Sequence, residues 1–122
     1  VSIQAESGMS KSFKQITQDI NQALAPLRKE SAAAMTGFST MAKAAMAPGA
    51  LTELHKELIA LAISVSTHCD GCIGFHVKAL VRLGATREQI YETLAVAVYM
   101  GGGPSLMYAA DVLRAYEEFR QT

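Results

Sequence analysis

Cys69-Asp70-Gly71-Cys72, followed by His76, are the residues of this sequence whose types and spacing point most directly to chemistry. The two cysteines are the only ones in the chain. If a helix starts at this point, Cys69, Cys72 and His76 fall on one face, because residues three and four apart are helical neighbours. Two sulfurs and an imidazole then sit at the positive end of a helix dipole, which favours thiolate, the reactive form of cysteine. The spacing suggests a reversible dithiol/disulfide couple. His76, one turn after Cys72, is within reach of its sulfur as a general base or as a cation that favours the thiolate. Two other readings compete. The pair is half of a zinc site, although a structural site needs four ligands and only His55, His68 and His76 are left to complete one. Alternatively the thiols are buried and inert.

Fewer signals surround the pair. Glu57 lies at the edge of an apolar stripe made by Leu54, Leu58 and Leu61. Partial burial there disfavours the charged form and suits a carboxyl to proton transfer. A surface glutamate or a structural ion pair fits the same pattern, and no spacing brings Glu57 to Cys72. His68 either polarises Cys69 or, as the plainer reading, caps the preceding helix. His55 reads as solvated. Tyr99 and the run Gly101-Gly102-Gly103-Pro104 read as structural, with proline restarting a helix. A phosphate-binding glycine loop would follow a strand and carry a lysine, and neither is present.

The elements that must position these residues read as helices throughout, since Ala, Leu, Met, Glu and Gln dominate. From Lys11 to about Leu27, the residues Phe13, Ile16, Ile20, Leu24 and Leu27 recur at helical spacing. Residues 31–46 form a second, Ala- and Met-rich helix, ended by Pro48-Gly49. A third runs from about Leu51 to Thr67 with Leu54, Leu58, Leu61 and Val65 inward. The fourth opens near Cys69 and stops at Gly84, placed for a left-handed cap. Thr86 and Gln89 have the spacing of a capping box, so a fifth helix starts there, burying Ile90, Leu94, Ala97 and Val98. The last runs from about Ser105 to Phe119 with Leu106, Ala109, Ala110, Leu113 and Tyr116 inward. The expected fold class is all-α, a compact antiparallel bundle of about six helices. Ala60, Ala62, Ala79, Ala95 and Ala97 permit close helix approach, and the surplus of apolar Ala and Met surface suggests a homo-oligomer.

Composition narrows the classes. A chain of 122 residues, half of them hydrophobic, is one domain with a real core, spanning residues 9–122. Residues 1–8 are polar and patternless, so they are expected to lie outside the fold, with Met9 as a native start. The formal net charge is zero and no basic block is present, which argues against nucleic acid as a partner. No apolar run is long enough to span a bilayer, and the N-terminus lacks the order of a secretory signal. A close cysteine pair is not a secreted disulfide framework, so a cytoplasmic protein is expected.

Taken in order, Glu57, Cys69-Asp70-Gly71-Cys72, His76, the segment Leu83-Gly84-Ala85-Thr86-Arg87-Glu88-Gln89-Ile90 and Tyr99-Met100-Gly101-Gly102-Gly103-Pro104 resemble the carboxymuconolactone decarboxylase family, specifically its alkylhydroperoxidase D-like branch. The likeness covers about residues 50–110. It implies an all-helical fold assembling as trimers or hexamers. It also implies a redox-active dithiol that reduces peroxides or passes electrons from a lipoyl-type or thioredoxin-like donor, with no bound metal or flavin required. On that likeness Cys72 is the nucleophile, Cys69 the resolving cysteine, and His76 with Glu57 a proton relay to the thiol. One departure stands out: peroxidase members carry a histidine just before the second cysteine, where this chain has Gly71. A weaker peroxidase and a general disulfide reductase both fit that change. Two rivals come from other classes. One is a lyase that decarboxylates a lactone, chemistry that needs acid–base groups but no dithiol. The other is a non-enzymatic module whose disulfide senses redox state or alters partner binding.

Overall fold

A computed structural model describes residues 11–121 of the chain. The expectations for residues 1–8 and for Met9 lie outside the described residues. Among the described residues there are six α-helices and no strand, so the fold is all-α. They are α1 (Phe13–Glu30), α2 (Ala32–Met46), α3 (Glu53–Ser66), α4 (Asp70–Arg82), α5 (Arg87–Gly101) and α6 (Gly103–Arg120).

Local chemistry explains most of the boundaries. The Ser12 hydroxyl accepts the Gln15 N–H at 3.2 Å and starts α1. The Glu118 carboxylate of α6 reinforces that start by accepting the Phe13 N–H at 2.7 Å and the Ser12 hydroxyl at 2.6 Å. Thr52 caps α3 through the His55 N–H at 3.1 Å. Thr86 and Gln89 form the reciprocal capping box of α5, at 3.1 and 2.9 Å. Gly102, at φ 75°, makes the break between α5 and α6 and lets α6 begin at Gly103, two residues before the expected start.

The core centres on α4, which packs against α1, α3 and α6. Phe13, Leu61, Val65, Ile73, Val77, Leu80, Ile90 and Val112 are fully buried within it. Each such side chain contributes about 1.5–3 kcal/mol relative to exposure. Gly74 is a point of close approach between α1 and α4, because a Cβ there would lie 2.7 Å from Thr17 Cγ2.

Part of the apolar spacing does not become core. Leu24 and Leu27 are exposed, at 36% and 44%, because α1 runs on past the core to Glu30. Leu106 and Leu113 of α6 are also exposed. Ala109 and Tyr116 are buried as expected, and Ser105, Asp111, Val112, Ala115 and Phe119 complete the buried face of α6. Apolar residues occur all round the first turns of α6, so periodicity picked Ala109 and Tyr116 correctly but added Leu106 and Leu113. Helix α2 contributes no buried residue at all, and it carries Phe38 and Met41 at 64% and 61% exposure.

Candidate redox site at the start of helix α4

The junction between α3 and α4 places the cysteines. At the end of α3, the His68 N–H donates to the Val65 carbonyl at 3.2 Å and the Cys69 N–H to the Ser64 carbonyl at 3.0 Å. This pair of reversed bonds is the same closure that ends α4, where Gly84 and Ala85 donate to Val81 and Leu80 at 3.1 and 2.9 Å. The motif needs one residue with positive φ. Gly84 supplies it at 80°, whereas at the cysteine junction it is His68, at 56°. A side chain in that conformation costs on the order of 1 kcal/mol, a strain held here beside the cysteine pair. Its ring stacks on Tyr108 of α6, centroids 4.6 Å apart and planes within 6°. His68 thus ends α3 through its backbone, while its imidazole is engaged with Tyr108.

Cys69 is the N-cap of α4, and its sulfur accepts the Cys72 N–H at 3.2 Å. Cys69 and Cys72 are joined as a disulfide. Both are half-buried. The Cys69 sulfur thus sits at the N–H end of a helix, where negative charge is stabilised.

His76 lies one turn further along α4. Its Nδ1 is 2.6 Å from Oε1 of Glu57 on α3, a carboxylate only 7% exposed. A carboxylate can only accept, so Nδ1 carries the proton and Nε2 is left as the basic nitrogen. The structure brings Glu57 and His76 together and places both cysteines on the same helix as His76. His55 is apart from this group: it is exposed, with Nδ1 3.0 Å from the Thr52 hydroxyl. Tyr99 is 84% exposed. Among the described residues no three His, Cys, Asp or Glu side chains converge as a metal site requires.

Gly71 is covered by α1. A Cβ at this position would lie 2.6 Å from Ile20 Cδ1, so a methyl group of α1 fills the space beside the pair.

One cluster beside the pair had no counterpart in the sequence analysis. The Lys11 ammonium lies 3.0 Å from Asp70 Oδ2 and 2.9 Å from Asp111 Oδ2, and 5.5 Å from the centre of the Tyr108 ring. Its pKa is raised, first by the hydrogen bond to Asp111 and further by Asp70, against the opposing effect of burial. Asp111 also accepts from Arg114 at 2.7 Å. The available signal was Asp111 itself, a charge between Ala110 and Val112 in an otherwise apolar stretch.

Comparison with known proteins places this geometry. Residues 32–115 match the model of the Carboxymuconolactone decarboxylase family. A family member from Legionella pneumophila, solved in its apo form, superposes with a TM-score of 0.87 at 59% identity, covering 88% of this chain and 96% of that one. Another from Thermotoga maritima, suggested by its description to act in the antioxidative response, gives 0.67 at 32% identity over 71% and 90% of the two chains. Alkyl hydroperoxide reductase AhpD of Mycobacteroides abscessus is 41% identical over 46 residues, 38% of this chain and 26% of that protein.

Proposed function

This chain belongs to the carboxymuconolactone decarboxylase family, and on that premise we propose that it is a thiol-dependent oxidoreductase that reduces peroxides through the Cys69–Cys72 couple. The observation that carries the reading is the conjunction on α4 of a disulfide at the helix start and a histidine one turn on, held by a buried carboxylate. The partial likeness to an alkyl hydroperoxide reductase and the antioxidative description of the Thermotoga protein support it.

In the proposed cycle the Cys72 thiolate attacks a peroxide oxygen. The O–O bond breaks, an S–O bond forms, and the alkoxide leaves as alcohol after protonation. Cys72 is then a sulfenic acid. The Cys69 thiol attacks its sulfur, water leaves, and the disulfide forms. A lipoyl-type or thioredoxin-like dithiol returns two electrons and two protons by thiol–disulfide exchange and is itself oxidised to a disulfide. His76, oriented by Glu57 through Nδ1, takes the thiol proton at Nε2 and supplies it to the leaving oxygen. Gly71, standing where peroxidase members carry a histidine, supports a second reading with the same couple, a disulfide reductase acting on disulfide partners rather than peroxide.

The working form in this proposal is a homo-oligomer, a trimer or hexamer. Its support is α2, which buries nothing within the protomer and exposes Phe38 and Met41. The proposed setting is the cytoplasm, where reducing systems keep such a couple turning over. No helix among the described residues is long and apolar enough to cross a membrane.

The test is peroxide consumption by the pre-reduced protein, with dihydrolipoamide or reduced thioredoxin in excess. Catalytic consumption of an alkyl hydroperoxide that requires Cys72 is expected. Reduction of disulfide substrates without any peroxide turnover would replace the peroxidase reading by the reductase one.

A further inference from the structure

Asp70 stands between the two cysteines in sequence and is the first residue of α4. Helix formation favours a carboxylate there, since it complements the dipole. Thiol chemistry does not, because a nearby negative charge opposes formation of a thiolate. The structure holds a counter-charge to that carboxylate. Lys11, just ahead of α1, is its one ion-pair partner among the described residues, at 3.0 Å. Lys11 is itself fixed from two further directions, by Asp111 at 2.9 Å and by the Tyr108 ring at 5.5 Å.

We propose that Lys11 is a positioning residue for the dithiol: by neutralising Asp70 it keeps Cys72 reactive in the reduced protein, which makes the entry to α1 part of the redox site. This rests on the dithiol reading and extends it to the control of that site's charge. Several other charged or titratable groups on the elements packed against α4 have partners of their own. Glu57 of α3 is bonded to His76 of α4. Asp111 of α6 is bonded to Arg114 as well as to Lys11. Tyr108 of α6 and His68 of the junction are stacked on each other. Removing Lys11 therefore leaves Asp70 as the uncompensated charge beside the sulfurs.

The experiment uses the full chain carrying Cys69→Ser, so that Cys72 is the single thiol. Its alkylation by iodoacetamide is followed from about pH 5 to about pH 9, a range that spans the ordinary thiol value. Lys11→Met is expected to slow alkylation near neutral pH by about threefold to tenfold, with the profile displaced to higher pH. Asp70→Asn alone should react as fast as the parent or faster. The double variant Lys11→Met/Asp70→Asn should recover the rate of Asp70→Asn, because the charge that Lys11 offsets is gone. An unchanged Lys11→Met profile would overturn the inference, and so would a slow profile that Asp70→Asn fails to rescue, since Lys11 would then act only by holding the fold. The dithiol reading is scored separately, by whether the wild-type pair forms a disulfide on mild oxidation.

Discussion

Nδ1 of His76 and Oε1 of Glu57 lie 2.6 Å apart although nineteen residues separate them in the chain. The pair joins α3 to α4 through a buried carboxylate and leaves the other imidazole nitrogen as a base. The two obvious substitutions are not equivalent. Glu57→Gln keeps an oxygen acceptor for His76 and should cost about 1 kcal/mol of stability. His76→Phe strands a buried carboxylate without its partner and should cost about 1–3 kcal/mol. Both should slow alkylation of reduced Cys72 near neutral pH, and peroxide turnover should fall by about a hundredfold or more in His76→Phe. Stopped-flow alkylation with thermal unfolding of the same samples checks this. Parent-like alkylation by Glu57→Gln, together with a large loss of stability, would make Glu57 structural only.

The two cysteines should differ in role. Cys72→Ser is expected to abolish peroxide reduction. Cys69→Ser should retain one turnover and stop at a sulfenic acid on Cys72, trappable by dimedone and visible by mass spectrometry. Finding the adduct on Cys69 in the converse variant, and none on Cys72, reverses the assignment.

Gly71 offers a test by gain rather than loss. An imidazole at this position must displace Ile20 Cδ1, which stands 2.6 Å from where the Cβ would be. Gly71→His should therefore destabilise the protein by about 1–3 kcal/mol. Trimming the obstacle in Gly71→His/Ile20→Ala should relieve that overpacking. If the histidine of peroxidase members contributes to thiol activation, the double variant should turn over peroxide faster than Ile20→Ala alone. Equal rates would assign that position no part in this chain's chemistry.

Legibility in the sequence followed the range of the interaction. The capping box of Thr86 and Gln89 and the left-handed stop at Gly84 were readable because each is complete within a few residues. The fourth helix and its cysteine N-terminus were readable for the same reason. Glu57 was ambiguous on its own pattern, since its partner His76 lies on another helix, and only the family likeness pointed to the pairing. Lys11 and Asp111 are a hundred residues apart, and no local pattern joins them. Leu24, Leu27, Leu106 and Leu113 show the other limit. Hydrophobic spacing identifies a helix, but whether its apolar face meets a neighbour depends on where the neighbouring helices end.

The exposed apolar face of α2 makes a prediction about assembly. Phe38→Asp/Met41→Lys should lower the solution mass to that of a monomer while leaving helix content unchanged, because neither side chain is part of the protomer's core. Light scattering with circular dichroism reads both. A wild-type protein that is already monomeric at micromolar concentration would remove the oligomer from the proposal.

The Lys11 bridge carries a pH signature of its own. Its pKa is raised above the ordinary 10.5 in the folded protein, mainly by Asp111. A cation whose pKa is raised by folding stabilises the fold fully below its unfolded value. That contribution is lost as pH climbs through the folded value. Lys11→Met should therefore melt about 2–4 °C below wild type at neutral pH, a modest gap because the ammonium is partly exposed. The gap should persist into mildly alkaline solution and close only above the ordinary lysine range. A gap that stays constant as pH rises through the lysine range would show that the ammonium's charge is not what stabilises the bridge.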